Sequence, residues 1–370
     1  MITRIAISNF KAFRKAEIIT TALNLFTGMN GMGKSSFIQS LLLLRQSNTI
    51  TSPLTQFLLI LKGEIIDIGK GKDAYNIHAD SDFIRFEVDF ENKSIINSGY
   101  KFIPESDVLY DVEKETDIFK LGAYSLFNAD FKYLKAERII PVNTYKANLS
   151  AVEQSGFLGY NGENVPLFIA LNKLEPLKIN SVKHPDAISN NLIANIDAWM
   201  NEITPGTHVI STYFNELDLV RLSYQFDDGD DVTPEFSPVN VGFGFTYVLP
   251  VITAVLSAKK GDLIIIENPE SHLHPQGQAK LGELFAKAAN DGVQLIIESH
   301  SDHLLNGIRV AVKKGFVKSD EVSIFYFERN KDSKEHVSQI IQPKIDEDGR
   351  IDNWPEGFFD EWDKMLDKLF

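Results

Sequence analysis

LNLFTGMNGMGKSSFIQSLLLLRQ, Leu23 to Gln46, decides how the rest of the 370-residue chain is read. The apolar run LNLFT reads as a strand, and Phe37–Leu44, apolar on most sides, reads as a buried helix. Between them, Gly28 to Ser35 matches G-x-x-x-x-G-K-[ST] in full, in the strand–loop–helix setting that gives this pattern meaning. Gly28, Gly31 and Gly33 let backbone N–H groups turn inward around phosphate oxygens. Lys34 brings a point charge to the β- and γ-phosphates, and the Ser35 hydroxyl can ligate Mg²⁺. The start of the helix adds its partial positive charge. The expected ligands are therefore ATP and Mg²⁺.

Composition narrows the setting. The chain is 44% hydrophobic and 24% charged, as in ordinary globular proteins. No apolar run reaches the roughly 18 to 20 residues that a membrane helix needs, so no membrane association is expected. The N-terminus MITRIAISNF alternates like a strand and has no signal-peptide core. Cysteine is absent, which excludes disulfides, thiolate zinc sites and a cysteine nucleophile. A cytoplasmic location is the simplest expectation. The formal net charge of −14 argues against coating nucleic acid through the overall field. Arg309, Lys313, Lys314 and Lys318 could still form a local basic strip, or an ordinary solvated helix face.

Arg4–Phe10 and Leu23–Phe26 read as strands, and alternation between about Glu64 and Asn97, as in FIRFEVDFENKSI, predicts antiparallel β. The acidic DDGDDVTPE, Asp227 to Glu235, is a turn whose spacing does not fit a calcium loop. Leu263–Ile266, Leu295–Ile297 and Ile324–Phe327 are continuous apolar runs of the kind buried on both faces of a parallel sheet. Helical patterns separate them: one from Pro275 to a stop at Gly292, and one after His300 with Ser301 as N-cap. Strands alternating with helices give an α/β fold.

Several stretches together carry a family likeness. GMNGMGKSS resembles the G-x-N-G-x-G-K-S-[ST] loop of ABC-type ATPase heads, as in chromosome-maintenance, RecF-like and OLD-like proteins, which adds Asn30 and Ser36 to the nucleotide contacts. ITRIAISNFKAF looks like the first strand and turn of those heads. YLKAERIIPVNTY, GYNGEN, NVGFGFTYVLPV, ENPESHLHP, ESHSDHLL and the tail DGRIDNWPEGFFDEW extend the likeness nearly end to end. They resemble a bacterial subfamily of AAA-type ABC ATPases whose C-terminal module reads WPxGFF[DE]. The implied architecture is an ABC-ATPase head with a mostly parallel P-loop core, an antiparallel β subdomain and a helical or mixed lobe. Its expected parts are a P-loop lobe over about 1–145 with a β insert at 64–135, a second lobe over 146–238, a signature and switch region over 239–342, and the module at 343–370.

The resemblance also assigns roles. Such heads act as head-to-tail pairs, so an ATP-dependent homodimer or higher oligomer is expected. VGFGFT stands where the signature lies; Gly242 and Gly244 would approach the γ-phosphate and Thr246 would offer a hydroxyl, unless the glycines only admit a tight loop before a core helix. Pro250 should kink that helix or lie in its first turn. His300, directly after the strand QLIIES, stands where a switch histidine senses the γ-phosphate. The spacings His272-x-His274 and His300-x-x-His303 also suit a transition metal, although HLHP falls where the subunit-contacting D-loop belongs. Gln46 lies about 16 Å along its helix from the loop, too far to reach it. Glu137 or Arg138 in KAER takes the place of the usual glutamine, or forms a surface ion pair.

In LIIIENPESHLHP the strand ends in Glu267, which can hold Mg²⁺-bound water. The next position usually carries the base that orients the attacking water, and here it is Asn268. Losing general-base help costs about 10² to 10⁴ in rate, which predicts slow hydrolysis unless Glu270 or a partner-subunit group substitutes. The leading expectation is a slow ATPase acting as a dimerisation switch on a separate effector, by analogy in bacterial defence, including anti-phage defence. A non-hydrolysing scaffold and a DNA-processing enzyme are the alternatives. The segment after His300 is too short for a nuclease module, so effector chemistry is expected from another chain.

Overall fold

FIRFEVDF alternates most regularly in the chain, and Phe83–Phe90 is a strand with every second side chain buried. It lies in an antiparallel sheet ordered Phe13–Ile19, Ile2–Phe10, Phe83–Phe90, Ile95–Lys101. Ile5, Ile7, Phe86 and Val88 form its inner face. The computed structural model describes residues 1–48, 57–91, 95–113, 118–330 and 338–369, so positions 92–94 of the alternating stretch lie outside the described residues. The alternating region begins later than the sequence suggests: a short helix, Gly71–Ala74, and turns occupy most of 64–82.

The chain divides into two compact units. One holds Met1–Asp130, Ser323–Lys344 and Ile351–Phe370. In it the strand Leu23–Gly28 neighbours Val322–Arg329, which pairs antiparallel with Ser338–Ile341. The apolar run Ile324–Phe327 is buried throughout, in a strand that pairs antiparallel with its neighbour on one side. The helix Lys34–Asn48 is covered by an aromatic cluster in which Phe37 meets Phe13 at 5.5 Å and Phe327 at 5.9 Å, and Phe26 meets Phe325 at 5.3 Å. The tail folds back here too: Phe358 of WPEGFF is fully buried, 5.3 Å from Tyr326 and 4.9 Å from Trp354.

The other unit holds Phe131–Val322 and Ile345–Arg350. Its centre is three parallel strands, Phe131–Leu134, Leu263–Glu267 and Gln294–Glu298, with Ile265 opposite both Tyr133 and Ile296. Parallel pairing buries both faces, which is why these runs show no polar alternation. The hairpin of Thr207–Phe214 and Leu219–Asp228 packs with the helices Val165–Asn172 and Leu192–Asn201, and the acidic segment closes a turn after Asp228. Pro250 is neither in the first turn of its helix nor at its end: Phe243–Leu256 carries it as its eighth residue. There it leaves the carbonyl of Thr246 without a helical donor.

Pro275–Asn290 and Asp302–Lys313 pack as a pair. His274 and Ser301 cap them, accepting from Gln276 N and Leu304 N. The two helices touch through glycine: a Cβ on Gly282 would sit 2.4 Å from the Leu304 carbonyl oxygen, and one on Gly307 2.0 Å from that of Ala279. Gly282→Ala should therefore force the helices apart and cost about 1 to 3 kcal/mol, although alanine is the better helix former. Thermal melting checks this; an unchanged or higher Tm would show that the contact yields freely. Among the described residues no helix is long and apolar enough to cross a membrane.

Candidate functional site

The phosphate-binding loop is built by close approach. Gly28 has φ +131°, and a Cβ on it would stand 2.1 Å from the Phe327 carbonyl oxygen. Gly33 has φ +97°, and its Cβ would stand 2.3 Å from the Phe13 ring. The NFKAF turn thus lies against the loop through Phe13, and Lys11 Nζ donates to Gln39 Oε1 of the following helix at 2.7 Å. Lys34, 4% exposed, donates from Nζ to the carbonyls of Gly28 at 2.9 Å and Met29 at 3.0 Å. Asn30 and Gly31 are exposed at the tip, Ser35 is half-buried, and buried Ser36 donates its N–H to Gly33 O at 3.0 Å. A Cβ on Gly31 would meet no heavy atom within 4 Å. An ammonium resting on neutral carbonyls, a hydroxyl and turned backbone amides fit a Mg²⁺–triphosphate, whose anionic oxygens are the stronger acceptors. Gln46 serves the fold instead: it donates to Ile60 O at 2.8 Å and accepts from the N–H groups of Ile65 and Ile66.

A second cluster stands at the end of the strand Leu263–Glu267. Tyr133, from the neighbouring parallel strand, donates its hydroxyl to Glu267 Oε1 at 2.8 Å. Burial foremost, and then the charge of Glu267, push the Tyr133 phenol well above its ordinary range, so it stays a neutral donor. Arg138, 3% exposed, donates from Nη2 to the Glu267 carbonyl at 2.7 Å. Burial lowers the Arg138 pKa to about 10, opposed by the charge of Glu267, and the side chain remains a cation at neutral pH.

Asn268 takes φ +45°, and its N–H donates to Glu298 O at 2.8 Å. Asparagine tolerates the left-handed region better than glutamate does, so the residue that replaces the usual base has a backbone reason for being there. Glu270 is held from the end of the next strand: its Oε1 accepts the His300 N–H at 2.7 Å. Asn268 Oδ1 and Glu270 Oε2 are buried and find no hydrogen-bond partner among the described residues. The structure thus brings Glu267, Asn268, Glu270 and the backbone of His300 together, and adds Tyr133. Tyr133 opens the stretch YLKAERIIPVNTY, but nothing in that stretch ties it to a partner 134 positions along the chain.

Gly242 caps the helix Phe243–Leu256, and a Cβ on Gly244 would stand 2.7 Å from the His272 carbonyl oxygen. Thr246 is 1% exposed, so its hydroxyl faces the interior in this conformation. The His272 ring rests between Phe243, at 5.4 Å, and Tyr247, at 4.7 Å, while His274 is occupied as a helix cap. Among the described residues no three His, Asp or Glu side chains are grouped to hold a metal ion. Mg²⁺ usually keeps several waters and takes only one or two protein oxygens beside substrate phosphates, so it does not require such a group. Arg309 of the basic helix is tied to Gly349 O and Asn306 Oδ1, both at 2.8 Å.

Residues 23–306 match the family described as "AAA domain, putative AbiEii toxin, Type IV TA system", and residues 317–369 match a family described as a protein of unknown function, DUF3696. No curated protein matches the chain. Among solved structures, the fold is similar to an Smc head bound to the C-terminal winged-helix domain of ScpA, with TM-score 0.54, 13% identity, and 93% of this chain and 98% of that one covered. It is also similar to the Smc head with an extended coiled coil from Pyrococcus furiosus, with TM-score 0.52, 12% identity, and 100% and 99% covered. The fold is that of an ABC-type ATPase head, mixed α/β with antiparallel sheets beside parallel strands.

Proposed function

We propose that this chain, which belongs to the AAA-domain family matched over residues 23–306, binds ATP and hydrolyses it slowly, and that two copies close on the nucleotide and open after turnover. The loop from Gly28 to Ser35, with the buried Lys34 ammonium turned onto its own carbonyls, carries this reading. Lys34 would exchange those carbonyls for β- and γ-phosphate oxygens. Ser35 would ligate Mg²⁺, and Glu267, its carboxylate oriented by Tyr133, would hold the metal's water. When bound, Mg²⁺ neutralises charge on the transferring phosphoryl group. Glu270, anchored through one oxygen to the His300 N–H, would orient the attacking water with the other. Asn268 Oδ1 would accept from that same water, and the His300 imidazole would register loss of the γ-phosphate. Gly242 and Gly244 would present backbone to the nucleotide of the second copy. The switch would act on a separate effector protein, in a defence or toxin–antitoxin setting that the family description and the sequence resemblance support.

Light scattering with and without Mg-ATP, read beside phosphate release, tests this. The expected result is an ATP-dependent dimer with slow release. Neither dimer nor release would overturn the reading. A dimer that never releases phosphate would instead support a scaffold that only binds ATP, which the amide at Asn268 in place of a carboxylate favours.

A further inference from the structure

One face of the helix Leu192–Asn201 carries Ala194, Asp197, Ala198 and Asn201, spaced as neighbours on successive turns, and it lines a cleft of about 430 Å³. The other walls come from the segment before the helix, through His184, Asp186 and Ile188, and from His208 at the start of the strand Thr207–Phe214. All of these residues belong to one compact unit. A cleft of this size suits a small ligand or a few side chains. The two alanines leave room along its floor, and Ile188, 96% exposed, gives it an apolar rim.

The polar groups of the cleft are unevenly matched. His184 Nδ1 accepts the Asp186 N–H at 3.2 Å, so its proton lies on Nε2, which donates to Glu202 Oε1 at 3.2 Å. Glu202 Oε1 also accepts from Lys280 Nζ at 2.8 Å. His208 Nε2 is paired with Asp227 Oδ1 at 2.7 Å. Asp197 is less well served. Its Oδ1 accepts the Val209 N–H at 2.9 Å, but Oδ2 makes no hydrogen bond among the described residues, and His208 Nδ1 stands 3.9 Å away. Burial raises the Asp197 pKa to about 6, and the Val209 N–H and the His208 ring offset this only in part. Neither lysine nor arginine lines the cleft, and Asp186 adds another carboxylate to it. A carboxylate drawn partly out of water without a matching cation is costly, and an incoming cation would relieve that cost.

We propose that this cleft binds a cation carried on an aliphatic stem, the chemistry shared by a lysine or arginine side chain of a partner protein and by a free polyamine. Asp197 Oδ2 and Asp186 would take the charged head, and Ala194, Ala198 and Ile188 would cover the stem. The cleft shares no residue with the phosphate loop or the Glu267 cluster, so it stands or falls apart from the nucleotide reading.

Calorimetric titration of the full chain at neutral pH, with agmatine, spermidine and the peptide acetyl-Gly-Arg-Gly-amide, tests the proposal. The same peptide with neutral citrulline in place of arginine is the control. The expected result is saturable binding of a cationic probe, about tenfold or more tighter than the citrulline peptide and weakened about tenfold by Asp197→Asn. Asparagine keeps an oxygen for the Val209 N–H and removes the partly buried charge, so this variant should melt no lower than wild type. Asp186→Asn, at a side chain 88% exposed, leaves the fold alone and should weaken binding about threefold. Binding of the peptide alone assigns the occupant to a partner protein, binding of the amines alone assigns it to a free polyamine, and binding of both supports the shared chemistry. If no cationic probe binds at millimolar concentration, if the citrulline peptide binds equally well, or if Asp197→Asn binds as wild type does, the proposal is overturned.

Discussion

Lys34→Ala abolishes measurable ATP binding, and with it ATP-dependent dimerisation, while the melting temperature stays near that of wild type. The Lys34 ammonium already makes two hydrogen bonds to the loop carbonyls. Exchanging them for anionic phosphate oxygens puts opposite charges on donor and acceptor, and each such bond is worth about 1.5 to 3 kcal/mol. Losing two such bonds removes about 3 to 6 kcal/mol, or roughly 10² to 10⁴ in affinity. The fold loses less, because the Gly28 and Met29 carbonyls lie at an open loop where water can replace the ammonium, and the aromatic packing under Gly28 and Gly33 is untouched. Titration with a fluorescent ATP analogue, beside a thermal melt, checks both parts. Binding within a few-fold of wild type would remove the phosphate-loop assignment and everything built on it.

Glu270→Gln slows phosphate release by about 10² to 10³ and leaves ATP binding intact, so that the ATP-bound dimer accumulates. The Glu270 side chain has one oxygen committed to the His300 N–H and the other buried without a partner. Glutamine keeps an acceptor for His300 but turns an NH₂ group toward the open position, where it cannot accept a proton from water. General-base assistance typically contributes 10² to 10⁴, and positioning through Asn268 survives the change. Single-turnover phosphate release measured alongside light scattering separates the steps. A Glu270→Gln variant that turns over at the wild-type rate would mean that the water is positioned by another group.

Much of this was legible because it is local. Strand, loop and helix from Leu23 to Ser47 follow from one apolar run, three glycines and a lysine within a dozen residues. The caps at His274 and Ser301 are short-range contacts of two and three positions, and Ser301 was readable as such in the sequence. The left-handed turn at Asn268 has a local signal of its own, since Asn-Pro marks turns. Gly282 and Gly307 look like weak points in two helical patterns, and only packing explains them.

By itself, the sequence determined the class of site: the spacing of Gly28, Gly33, Lys34 and Ser35 dictates backbone geometry within one turn, and that geometry suits phosphate wherever the loop lies. Only the tertiary structure decided which groups serve Glu267. Tyr133 and Arg138 reach it across 134 and 129 positions because parallel strands lie side by side, a relation that no local pattern encodes. It also decided that Glu270 is held by the next strand's end while Asn268 bends the chain, because burial and long-range hydrogen bonding fix a side chain's role only once the sheet has formed.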